Sequence, residues 1–278
     1  MTIDSNGWIR EATGIYYPAL TFGPFPAGQP KWIVIHGTAW NGGTARIIAE
    51  SWRNDSINGT GKASVHALID KSGEIVQGLP FTHTAWGNCC LSGNHANFLP
   101  SGNQNWNTLS IEHCKYDTWN TEVLTPMQQI SSFALVKALC EKYGIPKQVI
   151  GIGDPSNGGI IGHKDIDVVN RSNCPGAYPW QALQDFIVAK ESTPLVDACI
   201  IAIWASQASY FKGIQQSLPA RDTGIFDSWR RALLRGSFKG VPISQEYACP
   251  TADGTGTTVA QNFAGGTCLW NNGNPTWV

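Results

Sequence analysis

Residues 31–38 read Lys-Trp-Ile-Val-Ile-His-Gly-Thr, a nearly continuous apolar run that ends in a histidine. Uninterrupted Ile and Val are typical of a strand buried on both faces, as in a parallel sheet covered by helices. We therefore predict that His36 lies where this buried strand ends. Because a lone histidine in this setting is more often a hydrogen-bonded core residue, a function for His36 requires partners elsewhere in the chain.

Strand and helix patterns alternate after this run. Residues 44–52 carry apolar side chains at helical spacing, and strand patterns at 64–70 and 74–77 are joined by a Lys-Ser-Gly turn. Residues 125–128, Thr-Pro-Met-Gln, have the capping residue, first-turn proline and reciprocal glutamine of a helix that we expect to end before Gly144. The predicted fold class is α/β, with a mixed, mostly parallel central sheet flanked by helices.

Two segments border this pattern. Residues 1–30 show no sustained period and are predicted to form an irregular arm. Residues 149–152 are predicted to form a short strand that leads through a Gly-rich loop into 160–163.

Residues 109–114, Leu-Ser-Ile-Glu-His-Cys, return to a strand pattern. Side chains alternate between the faces of a strand, so Glu112 and His113 cannot face one pocket. A glutamate between apolar neighbours is costly to bury without a purpose. We interpret Glu112 as the functional residue and His113 as a neighbouring residue held by hydrogen bonds.

The stretch 162–167, Gly-His-Lys-Asp-Ile-Asp, is followed eleven positions after His163 by Cys174. An imidazole nitrogen and a thiolate are ligands that zinc binds readily, and a catalytic site needs a third protein ligand and an open position for water. His36 is the candidate for that third ligand. His66 competes with it but ranks lower, because it lies within a predicted strand and not at its end.

Composition restricts the class of partner. The net charge is -1, and the sequence contains no run of lysines or arginines that could neutralise a row of phosphates, so we expect no nucleic-acid partner. Twelve tryptophans are present, several in Asn- and Gly-rich surroundings where a flat aromatic face suits a sugar ring. Burial in the core remains the commoner role for any single tryptophan.

The chain shows no pattern expected of a membrane span. The apolar stretch 195–204 contains Asp197 and is shorter than the roughly 20 residues a spanning helix needs. The first residues lack the basic, apolar and small-residue regions of a signal peptide. We therefore expect synthesis in the cytoplasm, and no feature of the sequence indicates an oligomeric state.

Eight cysteines in a chain of this size do not predict a disulfide scaffold. Cys140 fits a buried apolar position in a helix, and the adjacent Cys89 and Cys90 are interpreted as structural. Cys249 and Cys268 bracket a Gly-rich loop, and they could form a disulfide if the protein works outside the cell.

Taken together, the motifs resemble the type 2 N-acetylmuramoyl-L-alanine amidases, a family that includes many phage endolysins and is related to the peptidoglycan recognition proteins. The resemblance extends over about residues 30 to 188, and it is specific because the motifs occur in the family's order. The motifs lie at residues 32–39, 63–77, 84–88, 109–112, 124–128, 162–166 and 174–176.

The resemblance implies that His36, His163 and Cys174 hold one Zn²⁺ per chain and that Glu112 is catalytic. Zinc with three protein ligands lowers the pKa of a water molecule towards 7, and a glutamate can take its proton and pass it to the leaving amine. The implied reaction cuts the amide between the lactyl group of N-acetylmuramic acid and L-alanine in bacterial peptidoglycan.

The chain departs from the family at a position that contributes to oxyanion stabilisation. Many members carry a lysine two residues before the third ligand, whereas this chain has Ser172. Arg171 and Lys164 are the nearby cations that could contact the oxyanion or the substrate.

A second departure concerns proton transfer. Some members have a tyrosine where this chain has Val65, which leaves Glu112 as the only candidate general base. His66 and Trp86 are further candidates for the substrate cleft.

The tail changes character after the amidase motifs. Helices are predicted at 195–216 and 225–235, and the remaining Gly- and Asn-rich sequence resembles a single LGFP-type repeat, a module associated with bacterial cell walls. The predicted organisation is a zinc amidase domain with its N-terminal arm at 1–192 and a small α+β wall-binding domain at 193–278. A tail that only caps the first domain or forms a dimer contact is the alternative.

Three classes of function fit these residues. The leading hypothesis is a zinc amidase of the endolysin type, released at lysis to act on the cell wall, with recycling of wall fragments inside the cell as a variant. A non-catalytic peptidoglycan-binding protein is the second. The third is a cysteine peptidase or amidase that uses Cys114 with His66.

Overall fold

The computed structural model describes residues 1–26, 30–89, 93–188 and four strand segments between 247 and 277. Thr2–Val188 form one compact unit, the first unit below, and the four segments belong to a second. The helices predicted at 195–216 and 225–235 lie outside the described residues. The division into a catalytic domain and a wall-binding domain stays a prediction.

The first unit is built on a six-stranded sheet in the order β1-β4-β3-β5-β2-β6. β3 and β4 pair antiparallel, and the other neighbouring strands pair parallel. The predicted mixed, mostly parallel sheet is therefore confirmed. The strands are β1 (Thr13–Gly14), β2 (Trp32–Gly37), β3 (Ala67–Ile69), β4 (Ile75–Gln77), β5 (Thr108–His113) and β6 (Gly159–Gly162).

The first unit also contains four α-helices among its described residues. Thr44 caps the first helix and Thr125 the second, where the predicted capping box forms and Gly144 ends the helix at φ 65°. Of the helices in the described residues, none has the length and apolarity needed to traverse a bilayer. The helices are α1 (Ala45–Asn58), α2 (Pro126–Tyr143), α3 (His163–Ile166) and α4 (Trp180–Val188), with 3₁₀ turns at Gln104–Asn107 and Pro155–Asn157.

β2 lies between β5 and β6 in the sheet. All six of its residues are buried, and Ile33, Val34 and Ile35 have no accessible surface. Burying each such side chain stabilises the fold by about 1.5–3 kcal/mol relative to exposure. The continuous apolar run thus forms the doubly covered strand that it predicts.

Two predicted segments differ from the structure. The strand predicted at 149–152 is wrong, because Val149 makes only one bridge to Ile160 and the chain then turns, with the Gly153 N–H donating to the Val149 carbonyl. Residues 1–26 of the arm are mostly irregular as predicted, yet β1 joins the sheet, and the Tyr17 hydroxyl donates to the Val65 carbonyl over 2.6 Å.

The second unit contains an antiparallel sheet in the order β10-β9-β8-β7, with β7 (Tyr247–Pro250), β8 (Thr257–Phe263), β9 (Gly266–Asn271) and β10 (Asn274–Trp277). Cys249 pairs with Thr258 on β8, whereas Cys268 pairs with Gln261. The two cysteines therefore lie on strands either side of β8, two strand spacings of about 4.8 Å apart, and they are also displaced along the strands, because their β8 partners Thr258 and Gln261 are different residues. A disulfide spans at most about 6.8 Å between Cα atoms, so this backbone register does not favour the disulfide that the sequence left open.

Candidate metal centre

Three adjacent parallel strands bring predicted site residues to one edge of the sheet. The β2–β5 register pairs His36 with Glu112, and the β2–β6 register pairs Ile35 with Gly162, directly before His163. The carboxyl ends of parallel strands are where ligands bind in open α/β sheets. Residues distant in sequence therefore share one edge.

His36, His163 and Cys174 form a buried cluster, called the three-residue cluster below. One ligand atom from each lies within 4.8 Å of the others, and the two imidazole centroids are 4.3 Å apart. The loop after α3 delivers Cys174, whose Sγ accepts from the Gly37 N–H over 3.5 Å. Two nitrogens and one sulfur make a set of three protein ligands, the number that a catalytic zinc site uses.

The ring nitrogens of the cluster also fit a metal. Nε2 of His163 is buried without a hydrogen-bond partner among the described residues. Nε2 of His36 contacts Asn88 Oδ1 at 2.8 Å, which leaves Nδ1 without a described partner. An unsatisfied buried nitrogen is costly in an otherwise closed core. A metal ion would satisfy it.

Burial sets the protonation of the cluster. Desolvation lowers the pKa of His36 to about 3 and that of His163 to about 2. Both rings are therefore neutral near pH 7, the state in which an imidazole binds a metal. Burial also raises the pKa of the Cys174 thiol to about 12, and a cation would favour the thiolate instead.

Glu112 lines the same cavity as the cluster. Burial raises the pKa of its carboxyl to about 8, against a smaller lowering by the charge of Arg171. His113 lies on the opposite face of β5, where its ring nitrogens contact the His36 carbonyl and Ser132 Oγ, each at 2.9 Å. The predicted alternation of Glu112 and His113 is confirmed.

The cavity has a volume of about 550 Å³ and combines aromatic and cationic side chains. Trp86 and Arg171 line it, whereas Lys164 is exposed and is not among the lining residues. Cys89, interpreted from sequence as structural, also lines the cavity and is exposed. Trp119, at 68% exposure, adds an aromatic face at the rim.

His66 lies in the core and not among the lining residues of the cavity. Its Nε2 contacts the His83 carbonyl at 2.7 Å, and its Nδ1 accepts from the Ser110 N–H over 3.0 Å. Both nitrogens are thus engaged, which opposes the predicted roles of His66 as a competing ligand or a cleft residue. Cys114 is buried with its pKa raised by desolvation, so the cysteine-peptidase alternative has no activated thiol there.

Sequence reasoning missed the residues that hold the Cys174 loop. Lys115, at 1% exposure, donates from Nζ to the carbonyls of Asn120, Pro175 and Ala177 at 3.2, 2.7 and 2.7 Å. Its burial lowers its pKa to about 8. A lysine directly after a buried strand was the available signal, since such a side chain must find acceptors if it stays inside.

Asn120 and Asn88 were missed as well. Asn120 Nδ2 donates to the Gly37 and Asn173 carbonyls at 3.2 and 3.3 Å, which ties β2 to the loop before Cys174. Asn88 lies in the family motif at residues 84–88, but no spacing rule links it to His36.

The family model described as N-acetylmuramoyl-L-alanine amidase matches residues 26–177, which include the three-residue cluster and Glu112. A search of curated protein sequences found no match.

Solved structures similar to this chain include a selenomethionine derivative of AmpD, with 20% identity, a TM-score of 0.50, and coverage of 68% of this chain and 100% of that one. This likeness supports the fold. The endolysin N-acetylmuramoyl-L-alanine amidase LysCS from Clostridium intestinale URNW has 24% identity, a TM-score of 0.44, and coverage of 66% and 99%.

Proposed function

The chain belongs to the N-acetylmuramoyl-L-alanine amidase family, and from this premise we propose that it is a zinc-dependent hydrolase of the amide between N-acetylmuramic acid and L-alanine in peptidoglycan. His36, His163 and Cys174 would hold one zinc ion per chain. The observation that carries the proposal is the convergence of their ligand atoms within 4.8 Å, in the cavity that Glu112 also lines.

Glu112 is the proton carrier in this proposal. Zinc, when bound, supplies Lewis acidity that activates water and polarises the scissile carbonyl. Glu112 takes a proton from the attacking water and gives it to the L-alanine nitrogen as the C–N bond breaks, which leaves a carboxylate and a free amine. A nearby cation would counter the effect of burial on its pKa and favour the ionised carboxylate.

Side chains around the cavity have the chemistry to bind a wall fragment. Trp86 and Trp119 offer aromatic faces, against which a sugar ring can pack. Arg171 is the cation we propose for contact with the oxyanion or the substrate, because it lines the cavity. Lys164 is the weaker candidate, since it is absent from that lining.

The tail is proposed to direct this activity to intact walls, as an endolysin requires. Only the resemblance of the Gly- and Asn-rich part of the tail to a wall-binding repeat supports this part. Deleting residues 193–278 should weaken sedimentation with cell walls while sparing hydrolysis of soluble muropeptides. Equal sedimentation of the full and shortened chains would refute it.

The proposal is tested by zinc analysis of the purified protein, combined with mass spectrometry of peptidoglycan after incubation with and without a chelator. We expect about one zinc per chain and chelator-sensitive release of stem peptides with free L-alanine amino termini. Glu112→Gln is the matched control, which should keep zinc and release little peptide. A protein that binds walls but releases nothing after zinc is added back would instead be a recognition protein.

A further inference from the structure

Asn88 is a fully buried residue beside the three-residue cluster, and its side chain is surrounded by hydrogen-bond partners. Its Oδ1 lies 2.8 Å from His36 Nε2. Its Nδ2 contacts Thr108 Oγ1 and Ser110 Oγ, each at 2.7 Å, and its backbone N–H donates to Asn105 Oδ1 over 2.7 Å. Every polar atom of this amide side chain is therefore engaged.

The orientation of the Asn88 amide follows from Thr108. An amide oxygen and nitrogen have nearly the same shape, so the surrounding network must decide which is which. The Thr108 hydroxyl donates its one proton to the Gln104 carbonyl over 2.7 Å. Thr108 Oγ1 can then only accept from Asn88, which turns the Asn88 NH₂ group towards Thr108 and its oxygen towards His36.

This orientation decides the tautomer of His36. An amide oxygen only accepts, so His36 Nε2 must carry the proton that it donates. A neutral imidazole has a single N–H, which leaves the lone pair on Nδ1. Nδ1 is also the nitrogen for which the described residues provide no partner.

We propose that Asn88 is a positioning residue that sets the tautomer and ring orientation of His36, so that Nδ1 is presented to the zinc ion. The Gln104 carbonyl accepts the Thr108 proton, so Thr108 accepts from the Asn88 NH₂ group, and the Asn88 oxygen faces His36. The inference rests on the proposed zinc function. Partners of this kind orient metal-binding histidines, and their loss costs about 10- to 100-fold in metal affinity.

The primary test needs no zinc and no variant of Asn88. Long-range ¹H–¹⁵N correlation spectra of the full-length, zinc-free, ¹⁵N-labelled chain near pH 7 report which nitrogen of each histidine is protonated, and the signals lost in His36→Gln identify His36. We expect protonated Nε2 and bare Nδ1. A proton on Nδ1 would overturn the inference.

Zinc affinity, measured by competition with a chromophoric chelator, tests the role of the contact. Asn88→Ala should weaken zinc binding about 10- to 100-fold. Asn88→Asp keeps an acceptor for Nε2–H but no longer donates to Thr108 and Ser110, so it should weaken zinc binding less than Asn88→Ala does. Asn105→Ala removes another buried asparagine of the same network without touching His36, and it should remain near wild type.

Two results would overturn the inference in these variants. One is wild-type affinity in Asn88→Ala, and the other is an equal loss in all three variants, which would indicate a purely structural role for the network. A wild-type chain that binds no zinc would refute the proposed function instead. The tautomer of His36 would still decide the inference in that case.

Discussion

Two pairs of histidines in the first unit differ in what surrounds their rings. His36 and His163 lie in the three-residue cluster, whereas His66 and His113 lie in the core. All four are buried, and burial lowers the pKa of each. Burial and neutral charge therefore do not distinguish a candidate ligand from a structural histidine.

The difference lies in the ring nitrogens. His66 and His113 each use both nitrogens in hydrogen bonds within the protein. Among the described residues, the ring of His36 forms a hydrogen bond through Nε2, and the buried Nε2 of His163 has no partner. A buried nitrogen without a partner is destabilising unless a ligand satisfies it, so it is the feature that indicates a metal site.

Removing a ligand from the three-residue cluster should have the largest effect. His163→Ala and Cys174→Ser are each expected to lose zinc and peptidoglycan hydrolysis together, with a rate loss on the order of 10³-fold or more, because several kcal/mol of transition-state stabilisation disappear with the metal. Zinc analysis and peptide release by mass spectrometry check this. Full activity without zinc would show that the three-residue cluster is not a catalytic metal site, and that its histidines do not differ in function from the core pair.

Glu112→Gln should separate metal binding from proton transfer. The amide keeps the shape of the side chain but cannot take a proton, so hydrolysis should fall by about 10²- to 10⁴-fold while zinc content stays at wild type. Hydrolysis rates and zinc content measured on the same preparation give the result. A fully active variant would remove Glu112 from the mechanism.

Acid should destabilise the metal-free protein through its buried histidines. Folded pKa values of about 4 for His66 and about 3 for His113 lie below the ordinary 6.5. Between these values the unfolded chain binds protons that the folded chain does not. The contribution of these histidines to the free energy of unfolding is therefore fully present above pH 6.5, and it is lost as pH falls towards the folded pKa values. Each histidine contributes up to about 1.4 kcal/mol per pH unit.

Urea unfolding of chelator-treated protein from about pH 7 to pH 4 measures this loss. The measurement is best made in the Glu112→Gln variant. The raised pKa of Glu112 makes the folded protein less stable as pH rises from 4.5 to about 8, and this opposite effect would otherwise mask that of the histidines. The stabilisation by added zinc should shrink over the same acid range, since protons compete for the ligands. Stability that increases on acidification would contradict the expectation.

His66→Phe should have the smallest effect, confined to stability. The ring stacks near Phe81 at 5.4 Å, so phenylalanine can pack there, but the Ser110 N–H loses its acceptor. We expect a loss of about 1–3 kcal/mol in urea unfolding, with unchanged zinc content. A folded His66→Phe protein that binds no zinc would show that the core pair also serves the metal site.

Local patterns predicted much of the fold. The apolar run of β2, the capping box of α2 and the alternation of Glu112 and His113 depend on residues a few positions apart, and each is confirmed. The segment 149–152 had the same apolar character but turns after one bridge, because available pairing partners, and not propensity alone, decide whether a short run becomes a strand.

The sequence by itself determined the apolar strand β2, the two ends of α2 and, through the family motifs, the set of candidate residues. Only the tertiary structure decided that His36, His163 and Cys174 converge, that Lys115 holds the Cys174 loop, and that Asn88 faces His36. These relations join residues far apart in the chain. Hydrogen-bond partners are chosen by proximity in the folded core, so no local pattern reveals which ring nitrogen remains free.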